Sequence, residues 1–249
     1  EGEMRNKGTN QRRIVWGYSL AVLVWFACWL CLGDANWWLV LLNRAVPFIF
    51  IPTLLLGAWV VFVRQPKLIL PLLLPAILFA LIYYPYLFPK PAKSTTGTNT
   101  LTVMTYNVLF SNYDYDAVAD VILTYKPDLV ALQEVQPEMM KELEERLGSE
   151  YPYSLMGTQN DYGTTAVFSR YPVTETYVLD LQADRPAVVV KTKIKDQEIT
   201  FVSVHLLAYN LWWTKLRDIP ATVMERTFNQ NRQANMVLGE SRIQKGIVL

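Results

Sequence analysis

Three long apolar runs without charge dominate the first part of the chain and limit what it can fold into. Residues 14–33 carry no charged side chain. Residues 14–63 carry only Asp34 and Arg44, and residues 68–89 carry none. A helix rising about 1.5 Å per residue crosses a hydrocarbon core in roughly twenty residues. The expected spans are therefore 14–33, then about 46–63 with a start as early as Trp37, then 68–89. Pro71, Pro75 and Pro85 predict a kink in the third. The first run is longer than the apolar part of a signal peptide, and no small-x-small cleavage site follows it. Six of the eight Trp residues lie in or near these runs, as expected of a membrane interface and not of buried soluble helices.

Cys28 and Cys31, the only cysteines, fall inside the first run. A redox or metal role would need a thiolate, which is costly in hydrocarbon. They are read as small apolar residues.

The net charge of +1 averages two unlike parts. Residues 1–97 hold nine Lys/Arg and three Asp/Glu, a balance of +6. Residues 98–249 hold fourteen and nineteen, a balance of −5. An acidic soluble part argues against a tight, non-specific nucleic-acid binder, because such affinity comes from displaced counterions. Arg5, Lys7, Arg12 and Arg13 precede the first run, and Arg64 and Lys67 sit between the second and third. Basic loops stay in the cytoplasm. Three spans then put the rest of the chain on the outer face, whereas two would leave it in the cytoplasm. The organisation read from this is a basic cytoplasmic tail (1–13), three transmembrane helices (14–89), a polar linker (90–100) and one domain (101–249).

Within that domain, 101–108 reads as a strand, 114–125 as a helix capped by Asp114 or Asp116, and 128–135 as a strand buried on both faces. Residues 137–147 read as a helix that starts at Pro137 and stops at Gly148. Strands follow at 164–169, 173–181, 187–194 and 198–205, with a hairpin turn at Asp196-Gln197. A helix is expected over 225–245, stopped by Gly246, and Ile247-Val248-Leu249 begins another strand. The order predicts an α+β layered domain with packed sheets.

Three polar residues close strands: Asn107, Glu134 and His205, the only histidine. Strand ends are where layered α/β proteins build sites. A carboxylate there suits Mg²⁺, an Asn orients a phosphate or a metal-bound water, and a His stabilises charge on a phosphoryl oxygen. Taken singly, each residue has a plain alternative as a solvated strand end, a turn residue or a structural histidine.

Their surroundings narrow the choice. Val-Met-Thr-Tyr-Asn107-Val, Pro-Asp-Leu-Val-Ala-Leu-Gln-Glu134-Val, Tyr-Gly163-Thr-Thr-Ala166-Val-Phe-Ser169-Arg170-Tyr-Pro172-Val and Val-Ser-Val-His205-Leu occur in this order, followed by Arg232-Gln233-Ala234. Over about residues 101–249 the chain resembles the endonuclease/exonuclease/phosphatase, or DNase I-like, family. The resemblance implies a four-layered α/β sandwich, here partial, and hydrolysis of phosphoesters in nucleic acid, phospholipid or inositol phosphate with Mg²⁺ (or Mn²⁺). It implies Glu134 as metal ligand, Asn107 beside metal and scissile phosphate, and His205 as a phosphate contact. It gives Gly163–Arg170 a structural role, with Ala166 packing, Gly163 relieving crowding and Arg170 facing solvent. The family pattern continues beyond Ile247-Val248-Leu249 into Gly-Asp-x-Asn and later Asp-His, so the sequence is expected to be a truncated piece, inactive by itself.

Trp212, Trp213, Lys215 and Arg217 lie in an aromatic loop expected to pack on its own domain. The alternative is a substrate rim that stacks a base or dips into lipid. The expected partners are the bilayer and a phosphoester substrate. A non-catalytic binding or sensory module with the same fold is the second reading.

Overall fold

The computed structural model describes residues 2–89, 100–158, 164–182, 185–194, 197–240, 243 and 247–248. Most of the linker, Gly163, Asp196, Gly246 and Leu249 lie outside the described residues. The chain divides into two compact units, Glu1–Ser94 with Leu211–Thr227, and Thr95–Asn210 with Phe228–Leu249.

The first unit is helical. Helix α1 (Gly2–Leu32) is followed by α2 (Trp37–Arg44), α3 (Val46–Ile49), α4 (Ile51–Phe62) and α5 (Ile69–Leu87). Among the described residues, two helical segments, Thr9–Leu32 and Pro66–Leu87, are long and apolar enough to cross a membrane. A third is added if Trp37–Arg44 and Val46–Phe62, bent by 79° to each other, count as one span. The bend separates Trp37 from the second run, so only the start at Val46 continues along α4.

The interior of this unit is apolar, with Val15, Val22, Trp25, Val60, Leu72 and Leu78 buried. Its outside is apolar too: Leu54 is 76% exposed and Phe62 85%. The expected proline kink in α5 takes a different form. The helix runs unbroken through Pro75 and Pro85. Pro75 lacks the N–H that would bond to Pro71, and the hydroxyl of Ser19 on α1 donates to that carbonyl at 2.8 Å. A neighbouring helix thus satisfies the group that proline leaves open. Tyr18 does the same at the break between α3 and α4, donating to the Ile49 carbonyl at 3.0 Å.

The second unit is the layered domain. Strands β1 (Val103–Asn107), β2 (Leu129–Val135), β3 (Tyr153–Met156) and β4 (Thr164–Ser169) form one sheet in the order β1-β2-β4-β3. Strands β5 (Val173–Leu179), β6 (Ala187–Ile194), β7 (Gln197–Ser203) and β8 (Ile247–Val248) form the other, in sequence order. Strands β1 and β2 are parallel, as are β7 and β8; the remaining neighbours are antiparallel.

Helices α6 (Tyr115–Tyr125) and α7 (Pro137–Leu147) cover the first sheet. Asp114 caps α6 by accepting from the Ala117 N–H at 3.0 Å. Leu129, Ala131 and Val167 of the first sheet meet Val188, Val190 and Phe201 of the second. Each fully buried Val, Leu or Phe side chain among them contributes about 1.5–3 kcal/mol. Val237 of α8 (Ile219–Gly239) packs on the far face of the second sheet with Val189 and Val202. The layers run helix, sheet, sheet, helix, the architecture expected. Helix α8 starts six residues earlier than expected and ends at Gly239, short of Lys245. The short strand β3 was not expected; as an edge strand with half its residues exposed, it carries a weak apolar pattern.

Arg170 does not simply face solvent. It pairs with Glu150 and lies 5.6 Å from the ring centroid of Tyr151. Beside it, Asp128 accepts from the Thr102 N–H and hydroxyl at 2.7 Å each and from Tyr171 Oη at 3.0 Å. Burial raises the Asp128 carboxyl, but these donors and the Arg170 charge outweigh it and hold it below the usual carboxylate range. The lowered value stabilises the fold above that range, and the contribution is lost as pH falls through it. We predict that Asp128→Ala costs about 1–2 kcal/mol. Pulse proteolysis in urea reads this as a lower midpoint at pH 7, with the gap to wild type closing in acid.

Candidate active site

The site is built on a bulge. Leu132 of β2 pairs with Ala166 and Val135 with Thr164, so Gln133 and Glu134 together face one residue of β4. The parity of the strand changes across it. Leu129 and Ala131 point between the sheets, whereas Val135 points to the helical layer with Val130 and Leu132. Glu134 has φ +64°, a left-handed conformation that costs a non-glycine residue about 1–2 kcal/mol. Bulges of this kind re-aim a side chain beside a site.

The carboxylate is held from two directions. Asn107 Nδ2 donates to Glu134 Oε1 at 3.0 Å and the Phe110 N–H to Oε2 at 3.1 Å. Asn107 Oδ1 accepts from the Leu109 N–H at 2.9 Å, which fixes the amide with its nitrogen toward Glu134. The parallel pairing of β1 with β2, register Asn107 to Gln133, brings the two strand ends together. Gln133 turns the other way, is buried, and donates to Thr105 Oγ1 at 3.2 Å.

His205 lies two residues beyond β7, with Nε2 3.6 Å from Glu134 Oε1. Both side chains are largely covered, 17% and 14% exposed. All three residues singled out in the sequence therefore meet at one place.

Arg185 joins them. Its Nη1 lies 2.6 Å from His205 Nε2 and 3.1 Å from Nδ1. A guanidinium only donates, so it must meet a bare ring nitrogen, and the imidazole is neutral. Burial, then the Arg185 charge, lowers the His205 pKa to about 4 against the opposing pull of Glu134. Arg185 was not singled out from sequence, though the hairpin contains the signal. With Ile194 opposite Gln197 and Val188 opposite Ser203, counting on places Arg185 beside the His205 turn.

Two further residues position this turn. Gln233 Oε1 accepts from the Leu207 N–H at 3.0 Å, and Gln230 Nε2 donates to the Leu207 carbonyl at 2.6 Å. Gln233 is fully buried.

For a metal, the described residues contain no group of three or more His, Cys, Asp or Glu. They offer one fixed carboxylate with an amide beside it. This fits Mg²⁺, which takes one or two carboxylates and keeps water or phosphate oxygens for the rest. It fits poorly a Zn²⁺ site closed by protein ligands.

Residues 104–235 match the model of the Endonuclease/Exonuclease/phosphatase family. Among solved structures, a humanized D. rerio TDP2 carrying 14 mutations is similar with TM-score 0.47 and 18% identity, over 59% of this chain and 63% of that one. An endonuclease/exonuclease/phosphatase from Beutenbergia cavernae is similar with TM-score 0.41 and 20% identity, over 53% and 42%. A Staphylococcus aureus beta toxin is similar with TM-score 0.45 and 14% identity, over 60% and 64%. The chain spans about three-fifths of the length of the D. rerio TDP2 structures it matches. No curated protein matches it.

The unfolded chain takes up the His205 proton first as pH falls below about 6.5, so stability is lost between there and about 4. With one histidine in the chain, its imidazole signal is unambiguous by NMR. The expected midpoint in metal-free protein is about 4, moving up in Arg185→Gln. An ordinary imidazole midpoint in both proteins contradicts this geometry.

Proposed function

Because the chain belongs to the endonuclease/exonuclease/phosphatase family of phosphoester hydrolases, we propose that it is a membrane-anchored, Mg²⁺-dependent phosphoesterase with Glu134 at its centre. The observation that carries this reading is the left-handed Glu134, fixed by Asn107 and set 3.6 Å from His205. A non-glycine residue kept in that conformation is a cost that clusters at functional sites.

Glu134 would hold the metal, which when bound supplies Lewis-acid polarisation of the phosphoryl oxygen. Asn107 keeps the carboxylate aimed and lies beside the phosphate. Arg185 presents a permanent positive charge to the phosphoryl oxygens. His205, neutral at physiological pH, donates a hydrogen bond that strengthens as charge develops there. Nucleic acid, phospholipid and inositol phosphate all present the phosphoester this arrangement suits.

The outward apolar faces of the helical unit, Leu54 and Phe62 among them, support a bilayer around it, with the bent pair Trp37–Arg44 and Val46–Phe62 taken as one span beside Thr9–Leu32 and Pro66–Leu87 to make three. The Lys/Arg bias supports a cytoplasmic N-terminus and a domain on the outer face.

The test is hydrolysis of a chromogenic phosphodiester by the protein expressed from its complete reading frame, with and without Mg²⁺. Glu134→Gln is expected to remove metal-stimulated activity and to weaken Mn²⁺ binding read by EPR. His205→Ala is expected to lower kcat by about 10²–10³. Unchanged Mn²⁺ binding in Glu134→Gln, or full activity in both variants, sinks the assignment.

A further inference from the structure

The loop before α8 is exposed where an aromatic loop packed on its own domain would be buried. Trp212 is 91% exposed, Trp213 90% and Leu216 86%. The three fall within five residues, on a turn and a short 3-10 segment (Leu216–Asp218). Lys215 and Arg217 are interleaved with them and also exposed. Soluble surfaces rarely leave two adjacent indoles in water.

The covering partner is indicated by where the loop belongs. Leu211–Thr227 falls in the same compact unit as the apolar helices, not with the strands on either side of it in sequence. That unit contains the two helical segments long and apolar enough to span a membrane. Indoles concentrate at the level of lipid headgroups, and Lys and Arg beside them keep their charged ends in the headgroup layer. We propose that residues 212–217 form a second membrane contact, with Trp212, Trp213 and Leu216 inserted at the headgroup–acyl boundary of the bilayer that holds the helices. The inference rests on the membrane reading above. Nucleic acid is the less favoured partner, because the layered domain carries a net negative charge.

The experiment uses the full chain in lipid vesicles, with Cys28→Ser and Cys31→Ser to remove native thiols. An environment-sensitive fluorophore is placed by Trp213→Cys in one sample, Leu54→Cys in a second and Tyr125→Cys in a third. All three sites are exposed, so none disturbs a core. Nitroxide-labelled phosphatidylcholine supplies a quencher high or low on the acyl chain.

The expected result is quenching at position 213 by the shallow label, about threefold over the deep one. Position 54 should respond most to the deep label, and position 125 to neither. A probe at 213 as unquenched as that at 125, while 54 is quenched, overturns the proposal and leaves the membrane reading intact. Quenching at neither 54 nor 213 overturns both. Shielding of 213 by a single-stranded oligonucleotide but not by lipid overturns it in favour of base stacking.

Discussion

Between Leu132 and Val135, strand β2 carries one residue more than its antiparallel partner, and the site depends on that insertion. Without it, strict alternation would send Glu134 into the helical layer among Val130 and Leu132, where an unpaired carboxylate is costly. With it, the chain turns through a left-handed φ and delivers the carboxylate to the sheet edge. The backbone cost is of the same order as a hydrogen bond to a charged group, about 1.5–3 kcal/mol. Glu134 has two, from Asn107 and from the Phe110 N–H. Neighbouring strands brace the same turn: the Val108 N–H donates to the Gln133 carbonyl at 3.0 Å, and Ser203 Oγ to the Leu132 carbonyl at 3.4 Å.

The helical unit meets a different constraint by similar means. Its helices contain prolines and a break, each leaving a carbonyl without its helical donor. Ser19 and Tyr18, both on α1, supply hydroxyls to the Pro71 and Ile49 carbonyls. Trp25 Nε1 donates to Asn43 Oδ1 at 3.1 Å, and the same amide donates to the Gly33 carbonyl, closing the loop between α1 and α2. Helix α1 thus satisfies the irregularities of the helices around it, so a change at Ser19 or Tyr18 would be felt in α5 or α4.

What could be read in the sequence followed from local chemistry. The buried strand β2 is visible as an apolar run with Gln133-Glu134 near its end, Asn107 closes the more exposed strand β1, and His205 is conspicuous as the only histidine. Asp114, Pro137 and Gly148 mark helix ends by capping chemistry that acts over a few residues. Arg185 was missed because its relevance depends on strand register across a hairpin. Gln230 and Gln233 were missed because a glutamine within a helix reads as solvated until its tertiary neighbour is known. The bulge left no sign, since Gln-Glu ends a strand as readily as it bends one. The exposure of Trp212 and Trp213 was equally illegible, because two adjacent indoles suit a packed loop as well as a bare one.

The hold of α8 on the turn after His205 has a consequence for how such a site can diversify. Gln230 and Gln233 grip the N–H and carbonyl of Leu207, groups that every residue except proline presents. The grip is blind to which side chain position 207 carries. Residue 207 can therefore change identity, and with it the shape and polarity it offers to a substrate, while the imidazole two residues upstream stays in register. A proline at 207 is the one substitution this tolerance excludes, because it would remove the donor that Gln233 requires.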